Sequence, residues 1–97
     1  MIKHVVCYKL KDNSIEKKEE VKAMLLSMVG KVGYFTDIKV GLDFLGSERS
    51  YDVVLEMTFN TKEDMEKYQK DDYHFNVIKP FMKSVRVGSV SVDYIIE

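Results

Sequence analysis

One cysteine, one proline and no tract rich in proline, glycine or serine occur in the 97 residues. A lone Cys7 excludes an internal disulfide, and without linker-like composition there is no place to divide the chain, so residues 1–97 are expected to form one domain. No stretch approaches the roughly 20 continuous apolar residues that a membrane-spanning helix needs. Lys3 and Lys9 break the first apolar run too early for a secretory leader, which makes a cytoplasmic location the expectation. An excess of one charge is missing as well. Fifteen Lys and Arg stand against sixteen Asp and Glu, for a formal net charge of -1. With the signs interspersed, no broad field is available to hold a nucleic acid or an anionic membrane. Two histidines without a carboxylate or thiol at ligand spacing supply too few donors for a metal, and neither a metal nor another cofactor is expected.

What is present is an ordinary globular mixture, 45% apolar and 32% charged. Residues 2–10, IKHVVCYKL, alternate as a strand with Ile2, His4, Val6, Tyr8 and Leu10 on one face. Asn13 with Glu16 reads as a capping pair. The helix it opens carries Ile15, Val21, Met24, Leu25, Met28, Val29 and Val32 at helical spacing and is closed by Gly30 and Gly33. YFTDIKVGLDF reads as a second strand with Thr36, Ile38, Val40, Leu42 and Phe44 on one face. LGSERS begins a hairpin, and YDVVLEMTF follows as the third strand. Thr61 with Asp64 caps a short helix that turns Met65 and Tyr68 inward. Asp71 or Asp72 caps a further turn or two, in which His74, Val77, Ile78, Phe81 and Met82 form a stripe. Pro80 should bend or stop that segment, since it lacks a backbone donor and crowds the preceding turn. RVGSVSVDYII closes the chain as a strand. The order predicts an α+β, ferredoxin-like split βαβ fold: a four-stranded antiparallel sheet with helices on one face and strands one and three at its centre.

The period of each element points His4, Tyr68 and His74 into the space between sheet and helices. Three polar tips meeting in an aliphatic and methionine-rich space suit a small-molecule pocket. Val6, Tyr8, Met24, Leu25, Leu55, Val77 and Phe81 are expected to line its walls. No inward arginine is apparent as an anchor for a carboxylate or phosphate. A histidine on an apolar face more commonly packs as a neutral ring with one hydrogen bond, a reading that suits His4 taken alone. For His74, burial and the helix N-terminus favour the neutral ring, while Asp71 and Asp72 favour the charged one. Cys7 points to the opposite sheet face and reads as buried and inert. On that face Val5, Cys7 and Val54 make an apolar centre ringed by Lys3, Lys9, Asp52, Glu56 and Thr58, which predicts a homodimer through the sheets. RNA recognition on such a sheet would require exposed aromatic and basic residues that YDVVLEMTF lacks.

IKHVVCYKLKD at the start, VGLDF, YDVVLEMTFNTKEDMEKYQ, His74 and a terminal VSVDY together resemble the stress-responsive A/B barrel family of dimeric α+β barrels, over almost the whole chain. The resemblance implies a ferredoxin-like fold and a dimer whose two sheets form a barrel. One member with the same pattern is the plant olivetolic acid cyclase, which carries out an aldol condensation. Its histidine on the first strand, tyrosine at the end of the second helix and histidine six residues further match His4, Tyr68 and His74. By that resemblance His74 is the base that removes a proton alpha to a carbonyl, with Tyr68 and His4 stabilising the oxygen charge. Between Tyr68 and His74 the family often has histidine then proline, where this chain has Asp71 and Asp72. The sequence favours a protein that binds an apolar small molecule, the alternative being a cofactor-independent cyclase, lyase or isomerase.

Overall fold

The computed structural model describes residues 1–96. Strand β1 spans Ile2–Leu10, helix α1 Ile15–Leu26, β2 Phe35–Leu42, β3 Val53–Phe59, α2 Lys62–Lys70, α3 Lys79–Val85 and β4 Arg86–Ile95, with a π-helical turn at His74–Ile78 leading into α3. The strands lie in the order β2-β3-β1-β4 and every neighbouring pair is antiparallel. The two strands with the strongest apolar alternation, β1 and β3, therefore take the centre, where both edges are paired.

Local chemistry explains the ends of the elements. The cap of α1 is Ser14, not Asn13: the Ser14 hydroxyl accepts from the Lys17 amide at 3.2 Å. The Asp12 carboxylate accepts from the Ser14 amide at 2.9 Å, and that Asx turn starts the helix one residue later than the sequence pattern implies. Thr61 caps α2 as its spacing predicts, its hydroxyl accepting from the Asp64 amide at 3.1 Å. Helix α1 ends at Leu26, before the two glycines. Ser27 donates its hydroxyl back to the Met24 carbonyl, a local bond that competes with continued helix. Only then does the chain turn through Gly30 at φ 84. Ile15, the first residue of α1, and Val29, beyond its end, are exposed, while Val21, Leu25, Met28 and Val32 are buried.

A bulge between Phe35 and Asp37 shifts the register of β2. It exchanges Thr36 for Phe35 on the core side, so Phe35, Ile38, Val40 and Leu42 pack against the core. Phe44 falls beyond the strand and is 97% exposed, contrary to its expected place on the inner face. Pro80 does not stop the last helical segment. Widening to a π turn lets the Lys79 amide reach back to the His74 carbonyl, and Pro80 then sits in the first turn of α3, where its missing donor costs nothing.

The core lies between the sheet and the helices, around Val21, Leu25, Met28, Leu55, Met57 and Phe59. Helix α1 fills the β2–β3 half of that layer. The helix-side positions of β4 opposite Val6 and Tyr8 are Ser91 and Ser89, too small to occupy the space above them. The β1–β4 half is therefore where a hollow can form. On the other sheet face, register aligns Val92 with Val5 and Val90 with Cys7. Asp52, expected on the charged border there, is 4% exposed, and its carboxylate accepts from the Leu10 amide at 2.7 Å. Thr58 is buried as well. Cys7 is half-buried rather than sealed. No helix among the described residues is long and apolar enough to cross a membrane.

Candidate functional site

A cleft of about 780 Å³ opens where β1 and the start of β4 face α2, the π turn and α3. His4 and Tyr8 reach it from β1, Tyr68 from α2 and His74 from the π turn. Strand alternation places His4 and Tyr8 on the same face, and the Thr61 cap sets the phase that turns Tyr68 inward until it is 2% exposed. Asp71 ends α2 and starts the next turn, its carboxylate accepting from the amides of Tyr73 at 2.9 Å and His74 at 3.3 Å. That carboxylate is committed to capping the backbone.

The rings form a row. Tyr68 lies between the two histidines, its centroid 6.1 Å from that of His4 and 4.3 Å from that of His74, with Phe59 packed beneath at 5.3 Å. Nδ1 of His4 is in direct hydrogen-bond contact with the Asp93 carboxylate, the residue opposite it on β4. With Nδ1–H given to Asp93, the hydrogen-bond pattern assigns the free lone pair of a neutral His4 to Nε2.

His74 has no such carboxylate. Its Nδ1 is buried and reaches no partner at hydrogen-bonding geometry among the described residues. Burial is the main influence holding the His74 pKa below the ordinary 6.5; the Gln69 carbonyl opposes it from nearby, and the Lys79 and His4 charges add to the lowering. Asp71 favours the charged ring but ranks last among the causes, so burial prevails over the aspartates. Burial also raises the Tyr8 phenol to about 12, against a smaller opposing effect of Arg86, and pushes Tyr68 up strongly. Both phenols are therefore hydrogen-bond donors at neutral pH.

The sign for stability follows from that lowering. The folded protein binds the His74 proton less tightly than the unfolded chain, so unfolding free energy is undiminished above 6.5 and falls as pH drops through the window beneath it. The expected result is an NMR titration midpoint for His74 below 6.5, and a loss of stability from pH 7.5 to 5 that is smaller in His74→Gln. A midpoint at or above 6.5 would contradict the burial argument.

Of the expected wall residues, Tyr8 lines the cleft. Val6, Leu25 and Leu55 are sealed in the core, and Met24 and Phe81 pack against that core away from the cleft. Val77 is 38% exposed, because the π turn rotates it off the inner stripe and leaves Ile78 there. Ile78 and Met82 supply the apolar wall instead. An inward arginine does exist: Arg86, the first residue of β4, lines the cleft together with Lys79 and Lys83. Their spacing of i, i+4 and i+7 was the available signal for a shared face. Asp93 had none, since its place beside His4 depends on strand register. No three side chains of the metal-ligating types gather among the described residues.

The sequence model of the family described as Stress Responsive A/B Barrel Domain matches residues 2–96. A dimeric protein of ferredoxin-like fold from Bacteroides fragilis superposes with a TM-score of 0.81 at 24% identity, covering 98% of this chain and 95% of its own. An Arabidopsis thaliana protein gives 0.85 at 23% identity, covering 100% and 96%. A hydroxynitrile lyase from Passiflora edulis gives 0.81 at 18% identity, covering 99% and 93%. At these identities the likeness is one of fold.

Proposed function

The chain belongs to the stress responsive A/B barrel domain family, and from that premise we propose that it is a homodimer binding a small, mainly apolar carbonyl compound in the cleft beside His74. The observation that carries this is the meeting of His4, Tyr68 and His74, from three separate elements, on one hollow with an apolar wall. That one solved neighbour is a hydroxynitrile lyase supports a small-molecule reading.

A second reading, proton transfer, is favoured by the placing of the His74 ring on the cleft wall beside Tyr68, where burial lowers its pKa. A neutral ring with its proton on Nδ1, toward the Gln69 carbonyl, keeps its lone pair on Nε2 for a molecule in the cleft. Nε2 would take a proton from the carbon beside a carbonyl while the Tyr68 and Tyr8 hydroxyls hydrogen-bond the enolate oxygen. His4, oriented by Asp93, completes the polar wall. No step requires a cofactor.

Both readings are tested with cyclohexanone in heavy water. Binding in the cleft predicts shifts of the His4, Tyr68 and His74 resonances, and proton transfer predicts enzyme-dependent uptake of deuterium beside the carbonyl. Shifts without exchange leave binding alone. Shifts confined to other surfaces overturn both.

The dimer reading rests on the helix-free sheet face. Val90, Val92 and Tyr94 are exposed there beside Val5 and Cys7, a larger apolar area than β1 and β3 offer by themselves. Solved relatives described as dimeric support it. Sedimentation should give twice the 11.3 kDa chain mass. Val92→Glu should weaken the dimer on the order of 100-fold, because burying an unpaired carboxylate costs several kcal/mol. A wild-type monomer at micromolar concentration would refute this.

A further inference from the structure

Lys79, Lys83 and Arg86 stand together on the wall of the cleft. No Asp or Glu lies among its lining residues, and none occurs in the sequence between Asp72 and Asp93, although acids outnumber bases in the whole chain. The ion pairs among the described residues are His4–Asp93 and Lys17–Glu20. The three cations thus bring unmatched charge to one side of the hollow. Like charges at i, i+4 cost a helix a few tenths of a kcal/mol, roughly 0.2–0.5, so helix stability does not account for Lys79 beside Lys83.

Their positions are those of a rim. Lys79 Nζ lies 5.0 Å over the ring of Phe75, an exposed residue that also lines the cleft. Lys83 is exposed on the next turn of α3, and Arg86 is half-buried where the chain enters β4. The charges of Lys79 and Arg86 are felt by His74 and Tyr8 respectively, so both reach the same hollow as the polar row. Ile78 and Met82, the buried apolar residues on this wall, lie behind the cations.

We infer that the molecule bound in the cleft carries an anionic head group, a carboxylate or a phosphate ester, held by Lys79, Lys83 and Arg86 with its apolar body toward Ile78, Met82 and the Tyr68–His74 rings. This rests on the cleft being the binding site, as proposed above. Arg86 supplies a planar fork suited to two oxygens of either anion, and the lysines supply point charges that tolerate both. Orientation follows: an anion at the rim directs the other end of the ligand past Tyr8 to the histidines.

The test uses four probes with one alkyl chain, namely hexanoate, hexyl phosphate, hexanol and hexylammonium, titrated by NMR at pH 7.5. At least one anion should shift the His4, Tyr68 and His74 resonances with affinity about tenfold or more above that of hexanol, with hexylammonium weakest. The advantage should shrink on raising salt, which needs no variant. Lys83→Gln/Arg86→Gln removes both charges and should abolish the anion's advantage over hexanol. The tighter of hexanoate and hexyl phosphate names the head group. Hexanol binding in the cleft as tightly as both anions, or an advantage indifferent to salt and to the variant, overturns the head-group inference while leaving the cleft reading intact. Failure of every probe to shift those three residues removes the cleft reading itself.

Discussion

Replacing His74 with glutamine is expected to slow deuterium uptake by cyclohexanone about 10²–10⁴-fold, the usual contribution of a positioned general base. Glutamine approximates the size and polarity of the ring but cannot accept a proton at neutral pH. The wild-type rate carries a second, variant-free signature. Because burial holds His74 below the ordinary 6.5, its neutral form is already dominant at pH 7. The rate should therefore rise with pH through a midpoint beneath 6.5 and then level. Tyr68→Phe should retain that midpoint while losing rate on the order of 10²-fold, as expected when one donor to a developing oxyanion is removed. Exchange that persists in His74→Gln, or a wild-type profile with no inflection below 6.5, would take the base role away from His74. A variant that no longer folds would assign the ring to packing.

Leu25→Ala is expected to be the most damaging of the simple truncations in α1. Leu25 is 0% exposed and sits with Val21 and Met28 in the half of the core where helix meets sheet without a hollow. Buried leucine truncations cost about 2–5 kcal/mol because a cavity remains after partial relaxation. A domain of this size has only about 5–15 kcal/mol in total, and each kcal/mol moves the melting temperature by roughly 4–8 °C. A fall of more than about 10 °C is therefore expected, with the urea midpoint lowered and its slope unchanged at fixed protein concentration. Ile15→Ala and Val29→Ala provide the contrast: both belong to the same apolar pattern in sequence, yet both are exposed, and each should change stability by less than about 0.5 kcal/mol. Equal losses at Leu25 and Ile15 would contradict the packing described for α1.

The contrast also shows why the pattern was only partly legible. A period of 3.6 tells which residues could share a face, but not where the helix stops, and the stop after Leu26 depends on Ser27 donating to Met24. Ser27 also contacts the hydroxyl of Tyr73 at 2.6 Å, forty-six residues away. In the same way the bulge in β2 exchanges Thr36 for Phe35, and the π turn removes Val77 from the inner stripe while Ile78 keeps its expected place. Each local irregularity reverses the inward or outward sense of a side chain. Among the wall residues expected from periodicity only Val77 was lost to such an irregularity. Val6, Leu25 and Leu55 point inward as expected, but into the sealed core and not onto the cleft.

The sequence by itself determined the element order, the central pair of strands and the inward direction of His4, Tyr68 and His74. Alternation within a strand and the phase of a capped helix are properties of neighbouring residues, so they survive without knowledge of the rest of the chain. Tertiary structure alone decided that Asp93 meets His4, that Asp71 is spent on the backbone while burial lowers the His74 pKa, and that Arg86 joins two lysines at the rim. Those outcomes depend on strand register and on how much volume each half of the layer leaves unfilled, and both are settled by packing between residues far apart in sequence.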